Sequence, residues 1–329
     1  MVGKTPVTKT AIASHLGISR TAVSLVLNNA ENSTVSEETK EKILRAANEL
    51  GYKNGRVIKK ICYVLCDREI TDPRYMLSLQ NIERYAGSSG YNIIFLSIKP
   101  TTEGIAKLQS LLQNDEVEGY ILNGNITDNV MHVIQNSKAP FVLYGFVARE
   151  GLDIILVDIE RVFYEATKYV IGYGHRKIAL LTGLLSLTVH QSTYRGYAKA
   201  LEENGIVIDK SLIQVSNDED GYELVSRMRI LGIDYTALVC ANSIIQFRAL
   251  QCLKDNGICV PGRISLIGGN ISEFTKLSNP KLTAFYCDET GIAQRAIQKL
   301  LGRINGTDTA CAESDDLKFS EGNTVSYCG

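Results

Sequence analysis

The chain has 329 residues, 45% of them hydrophobic and 22% charged, with a formal net charge of −1. This length accommodates about two or three domains, and the apolar fraction supports buried cores. No run approaches the roughly 20 consecutive apolar residues of a membrane helix, and the opening MVGKTPVTKTAIASHLG has no apolar secretory core. A cytoplasmic protein is therefore expected. The charge is unevenly spread: residues 1–60 hold ten Lys/Arg against five Asp/Glu, and the remainder holds 25 against 31. A basic head on an acidic body points the head at a polyanion.

The first fifty residues read as short helices. Thr8 caps one running to about His15, with Ile12 and Leu16 on one face and Gly17 as its break. Ser19 caps a second through Leu27, with Val23, Val26 and Leu27 turned inward. After a polar loop, Ser36 caps a third, with Glu37 and Glu38 in the first turn where the helix dipole favours acids. Ile43, Ala47 and Leu50 form its apolar stripe, and Gly51 ends it.

From about residue 60 the texture changes. Short apolar runs at 61–65, 92–97, 119–123, 141–145, 154–158, 177–183, 236–241, 264–268 and 282–286 alternate with helical stretches at about 75–88, 102–114, 160–172, 190–205, 244–257 and 288–305. Continuous apolar runs suit strands covered on both faces of a parallel sheet, and βα alternation implies a doubly wound architecture. Nine or more strands exceed one comfortable sheet, so two lobes are expected, with a ligand cleft beyond the strand carboxyl ends.

Eight cysteines, Cys62, Cys66, Cys240, Cys252, Cys259, Cys287, Cys311 and Cys328, are too scattered for a disulfide framework. Cys62 and Cys66 sit in an apolar run and read as core thiols. The four histidines show no metal-ligand spacing, and neither metal nor cofactor is expected.

The most informative stretch is TKTAIASHLGISRTAVSLVLN, residues 8–28. A helix-turn-helix needs a small residue at the helix crossing, a turn glycine and apolar anchors on the second helix. Ala13, Gly17, Ile18, Val23 and Val26 meet those needs. Ser19, Arg20, Thr21 and Ser24 are then left to face a major groove. Arg20 suits bidentate donation to guanine, and Thr21 suits a hydrogen bond or a thymine methyl. Thr8, Ser19 and Asn28 are short polar groups suited to phosphate.

These motifs resemble the LacI/GalR family of bacterial regulators. VTKTAIASHLGISRTAVSLVLN is similar to its V-T-x-x-D-V-A-x-x-A-G-V-S-x-x-T-V-S-R-V-L-N opening, and VSEETKEKILRAANELGY to its V-S-x-x-T-R and E-L-G-Y. Further blocks follow in order: residues 75–91, VEGYIL (117–122), YVIGYGHRKIALLTG (169–183), STYRGYAKALEENGI (192–206), VPGRISLIGGN (260–270) and NPKLTAFYCDETG (279–291). The resemblance implies an all-α helix-turn-helix head over 1–52, a shortened linker over 53–60, and over 61–329 a two-lobed, periplasmic-binding-protein-like sensor domain of two doubly wound parallel sheets. It implies a homodimer on a double-stranded operator, an inverted repeat, with a small-molecule effector between the lobes and action as a repressor.

Three departures stand out. Leu25 occupies the place of the family's late recognition-helix Arg. The linker KNGRVIKK has no leucine wedge for the minor groove, and Gly55 weakens any helix there, although Lys53, Arg56, Lys59 and Lys60 remain to follow phosphates. The family's pocket acids are replaced, with Asn242-Ser243 and Asn270 at two of their positions and Gly145-Phe146 at a third. Arg195 is matched to the arginine of the family's R-x-x-G-Y helix. Tyr75 and Phe146 are candidates for stacking, and Asp158 and Gln191 are further effector candidates. Losing acids while keeping an arginine and aromatics points to a less sugar-like, flat or anionic ligand, or equally to a pocket that has lost its ligand.

Two rivals remain. A solute-binding protein shares the two-lobed build but calls for a signal peptide and no helix-turn-helix. An enzyme would need a chemical motif, and the chain has no GxGxxG, P-loop or GxSxG; Gly268-Gly269 stands without the rest of a fingerprint.

Overall fold

A computed structural model describes residues 7–27, 35–50, 52, 59–113, 117–145, 154–307 and 317–329. The chain divides into two units, residues 1–58 and 59–329.

The first unit contains α1 (Lys9–Leu16), α2 (Arg20–Leu27) and α3 (Glu37–Glu49). The Thr8 hydroxyl accepts from the Ala11 amide at 3.2 Å, and Gly17 closes α1 in the left-handed region at φ 68°. That conformation costs a residue with a Cβ but not glycine. The Ser19 hydroxyl then accepts from the Ala22 amide at 3.1 Å. The two helices diverge by 118°, as a helix-turn-helix requires. Ser36 caps α3, and Glu37 and Glu38 pair with Lys40 and Lys42. Ile12, Ala13, Val23, Leu27, Ile43, Ala46 and Ala47 form the core, with Val26 and Leu50 half-buried at its margin.

The second unit has two lobes. The first holds a parallel sheet of β1 (Lys59–Cys66), β2 (Tyr91–Ile98), β3 (Val117–Gly124), β4 (Phe141–Gly145) and β5 (Ile154–Leu156), in the order β2-β1-β3-β4-β5. Side chains alternate across it, as the two-residue period of a strand dictates. Ile61, Tyr63, Leu65, Ile121, Val142 and Tyr144 face α4 (Pro73–Ser88) and α12 (Glu289–Ile304). Cys62, Val64, Cys66, Tyr120, Leu122 and Leu143 face the opposite way, onto α5 (Thr102–Leu112) and α6 (Asp128–Ser137). Cys62 and Cys66 are core thiols as expected, and burial pushes both thiol pKa values up to about 12.

The second lobe holds β6 (Ile178–Thr182), β7 (Ile213–Val215), β8 (Ala237–Cys240), β9 (Ser265–Gly268), β10 (Thr283–Cys287) and β11 (Leu317–Ser320), in the order β11-β10-β9-β8-β6-β7. One face packs on α7 (Ile159–Gly172) and α8 (Thr188–Glu203) through Phe163, Val170, Tyr197 and Leu201. The other packs on α9 (Gly221–Ile230) and α10 (Ser243–Asp255) through Leu224, Met228, Ile245 and Leu253. α11 (Glu273–Leu277) follows β9. Helices α7 and α8 touch where Gly196 stands: a Cβ there would lie 2.1 Å from the Glu160 carbonyl oxygen.

The chain passes between lobes at Val157–Ile159 and at Cys287–Glu289, and again between α12, in the first lobe's core, and β11, in the second lobe's sheet. Two features differ from the sequence expectation. β11 pairs antiparallel with β10, so the second sheet is mixed at its edge. Lys59 and Lys60, placed in the linker by sequence, are the first residues of β1 and pair with Tyr91 and Asn92 of β2.

Candidate functional site

In the head, the second helix buries Val23 and Leu27 and exposes Ser19, Arg20 and Thr21 at its start. Among the described residues Arg20 makes no ion pair or hydrogen bond. Its guanidinium is available to bases or phosphates without first breaking an internal contact. The Thr8 and Ser19 hydroxyls are engaged as caps, and each oxygen retains its own O–H for donation. Ser24 is half-buried and accepts from Lys9 Nζ at 3.3 Å, which ties α1 to α2. Asn28 and Arg56 lie outside the described residues. Lys59, expected near phosphate, instead donates to Glu118 at 3.3 Å and to the Tyr91 hydroxyl at 3.4 Å.

In the body, two cavities lie between the lobes. The larger, about 150 Å³, is lined from the first lobe by Arg68, Tyr75, Asn125, Leu143, Gly145 and Ile154, among others, and from the second by Leu187, Thr188 and Val189. Arg68 follows β1, Asn125 follows β3, and Gly145 ends β4. Thr188 opens α8, the helix after β6. All stand at carboxyl ends of parallel strands, where open α/β sheets bind ligands. The smaller cavity, about 60 Å³, adjoins the lobe crossings and is lined by Leu77, Val157, Val189, Asn270, Tyr286 and Glu289, among others.

A buried polar network supports the first lobe's wall. Ser78 Oγ donates to Glu289 Oε2 at 3.0 Å, and the Tyr144 hydroxyl donates to the same oxygen. Burial, and then the Glu289 charge, raise the Tyr144 phenol pKa well above its ordinary value. Asn123 Nδ2 donates to the Tyr63 hydroxyl at 2.8 Å. In the second lobe, buried His190 shares its ring nitrogens between Thr182 at 3.0 Å and Glu219 at 3.1 Å, and Asn242 Nδ2 donates to Glu219.

The sequence-derived effector candidates separate against this geometry. Tyr75 and Asn270 line cavities; Asn270 Oδ1 also accepts from the Ser243 amide at 2.5 Å. Asn242 is buried as the cap of α10, accepting from Ile244 and Ile245. Asp158 caps α7, accepting from the Arg161 amide at 2.9 Å, and Gln191 is exposed on α8. Arg195 is exposed, donating from Nε to Glu160 at 2.8 Å and from a terminal nitrogen to Ser192 at 2.7 Å. Neither Asp158, Gln191 nor Arg195 lines the two cavities described. The spacing explains the last of these. Arg195 directly precedes Gly196, whereas R-x-x-G places its first residue at Thr193, which is buried and donates to the Val189 carbonyl at 3.0 Å. Phe146 lies outside the described residues. Arg68, Thr188 and Glu289 also line these cavities and were not singled out by sequence; the signal for Arg68 was its place just past a strand's carboxyl end.

Among the described residues no cluster of His, Cys, Asp or Glu is arranged to hold a metal ion, and no single helix is long and apolar enough to cross a membrane.

Comparison with known proteins gives concordant results. Residues 10–54 match bacterial regulatory proteins of the lacI family, and residues 167–318 match the periplasmic binding protein-like domain. The HTH-type transcriptional repressor PurR of Haemophilus influenzae is 27% identical over 309 residues, spanning 90% of this chain and 91% of the relative. PurR of Pasteurella multocida is 26% identical over 307 residues, spanning 89% and 91%. Among solved structures, the lac repressor dimer bound to operator and the anti-inducer ONPF superposes with a TM-score of 0.77 at 22% identity, covering 98% of this chain and 100% of the other. The CelR–cellobiose complex superposes with a TM-score of 0.74 at 21% identity, covering 97% and 99%. At such identity the structural likeness speaks for the fold. With both domains matched in order in one chain, this protein belongs to the lacI family of bacterial regulatory proteins, and is a transcription regulator with a helix-turn-helix head and a periplasmic binding protein-like sensor body.

Proposed function

We propose that this regulator acts as a repressor, binding an inverted-repeat operator as a homodimer, and that a small molecule held between the sensor lobes sets its operator affinity. The observation that carries the reading is the split face of α2: Val23 and Leu27 anchor it while Ser19, Arg20 and Thr21 project outward together. Such a helix offers its first turn to base edges. The homodimer and the operator come from likeness to the lac repressor dimer, and the repressor role from likeness to PurR. The domain limits proposed are those read from the sequence, 1–52 for the head, 53–60 for the linker and 61–329 for the sensor, with Lys59 and Lys60 moved into the sensor because they open β1. The proposed mode of action is binding without catalysis, in the cytoplasm at the nucleoid. The solute-binding alternative gives the head no task.

Genome-wide footprinting of the purified protein, with and without cell extract, tests this reading. Two-fold-symmetric protected sites are expected, with affinity that falls steeply with salt as counterions are released. Arg20→Ala should cost about 1–3 kcal/mol at one base position; an equal loss on every operator variant would reduce Arg20 to a phosphate contact. Absence of any preferred site would sink the regulatory reading.

A further inference from the structure

The family assignment leaves the chemical class of the effector open, and the larger interlobe cavity bears on it. Of the residues described around that cavity, Arg68 alone carries a charge. Among the described residues it has no ion pair or hydrogen bond. The neighbouring carboxylate, Asp67, is engaged by Asn125 Nδ2 at 3.0 Å. A half-buried guanidinium lining a partly apolar cavity, with no counter-ion among the described residues, is placed to pair with a bound anion.

The second lobe supplies independent complementarity. α8 is 16 residues long and begins against the cavity, and its N-cap Leu187 makes no side-chain cap. The amides of His190 and Gln191 bond to the Leu187 carbonyl, while those of Thr188 and Val189 donate to no described backbone atom. The Thr188 hydroxyl likewise has no partner among the described residues. Thr188 and Val189, at the positive end of a helix and with these groups unengaged among the described residues, thus line the cavity from one lobe, and Arg68 lines it from the other. Tyr75, Leu143 and Ile154 add apolar surface.

We infer that the effector is a small anionic metabolite, bearing a carboxylate or phosphate group, whose charge is held by Arg68 and the amino end of α8 while its body rests on Tyr75, Leu143 and Ile154. Because the anion engages both lobes, binding favours the arrangement in which they approach. The inference rests on the effector-binding part of the proposed function. Arg68 is a ligand-binding residue in this account, and Arg195 is not.

The test is titration calorimetry on the full-length protein in a phosphate-free, low-salt buffer. One arm uses carboxylates (succinate, citrate, benzoate), a second uses phosphate esters (glucose 6-phosphate, ribose 5-phosphate), and a third uses neutral compounds (glucose, ribose, cellobiose, adenine). Saturable binding confined to one or both anionic arms is expected, and which arm responds identifies the anion. Arg68→Gln should weaken that binding by about tenfold to a hundredfold, the range for loss of a charge-assisted hydrogen bond. Arg68→Lys should recover part of it. Thermal melts of each variant establish that it is folded. Binding of a neutral compound as tightly as any anion, no anionic binding up to millimolar concentration, or unchanged affinity in folded Arg68→Gln would each overturn the inference. Operator binding by the wild-type protein is measured separately: a protein that binds DNA but only neutral ligands fails this inference alone, whereas one that binds no DNA fails the regulatory reading.

Discussion

In the head, the candidate reading residues Ser19, Arg20, Thr21 and Ser24 fall on a single turn-and-helix segment, and two short caps and two buried anchors hold it in place. In the body, the larger cavity is assembled from strand and helix ends that run from position 68 to position 189. A contiguous site inherits its geometry from local rules of capping and helical period. A dispersed site inherits its geometry from topology, meaning which strands are neighbours and where each one stops. The first kind can be read along the chain, and the second needs the sheet order.

The largest separation between the two regions should come from their cores. Ile12 is fully buried in the head's small cluster. Ile12→Ala should cost about 2–5 kcal/mol, enough to unfold most of a marginal three-helix unit. Operator binding should be lost while calorimetric ligand binding by the body persists. Loss of both together would show that the head and body unfold as one cooperative unit.

Nine strand runs and six helices were legible because continuous apolar stretches and helical periodicity mark elements covered by the core. β7 was not: it has three residues, IQV, at the sheet edge, with Gln214 in the middle. β11 was missed because LKFS is half exposed and gains its strand identity only by pairing with β10. α6 and α9 each have ten residues with few buried positions, too short for a period to stand out. In the cleft, Tyr75 and Asn270, singled out by motif position, line cavities, while Asp158 and Asn242 are engaged as helix caps. A short polar residue before a helix has the same signature whether it caps or binds ligand, so local sequence could not separate the two roles.

A smaller perturbation probes the body. Gly196→Ala places a Cβ against the Glu160 carbonyl and the Tyr164 amide, both backbone atoms of α7. The helices must part, at a cost of about 1–3 kcal/mol. The thermal midpoint of the body should fall while its operator specificity stays the same. An unchanged midpoint would mean that α7 and α8 can shift apart freely.

A subtler effect is set by pH. His175 is buried, with one ring nitrogen 3.0 Å from Thr236 Oγ1 and the other 2.9 Å from Ser265 Oγ. Desolvation lowers its pKa from the ordinary 6.5, against a raising contribution from the Ser326 carbonyl. Below that value the unfolded chain takes up the proton more readily than the folded one, so stability falls as pH drops from about 6.5 toward the folded pKa. Above 6.5 both states are neutral and this contribution is complete. Denaturant midpoints between pH 7.5 and 5 should fall more in the wild type than in His175→Gln; parallel curves would assign the acid sensitivity elsewhere.

The smallest expected effect is at Arg195, the arginine that sequence pattern placed in the effector site. Its side chain is 52% exposed and Glu160 is 41% exposed, so water and salt screen their attraction. Arg195→Ala should therefore cost less than about 1 kcal/mol. The body's ligand affinity should stay within a factor of about two, because the side chain lines neither described cavity. A tenfold loss, about 1.4 kcal/mol, would mean that Arg195 exchanges Glu160 for the effector when the ligand binds. The motif would then have identified a residue whose ligand-bound geometry differs from its ion-paired one. A negligible loss would leave Arg68 as the arginine of the cleft, placed there by the order of strands in the sheet.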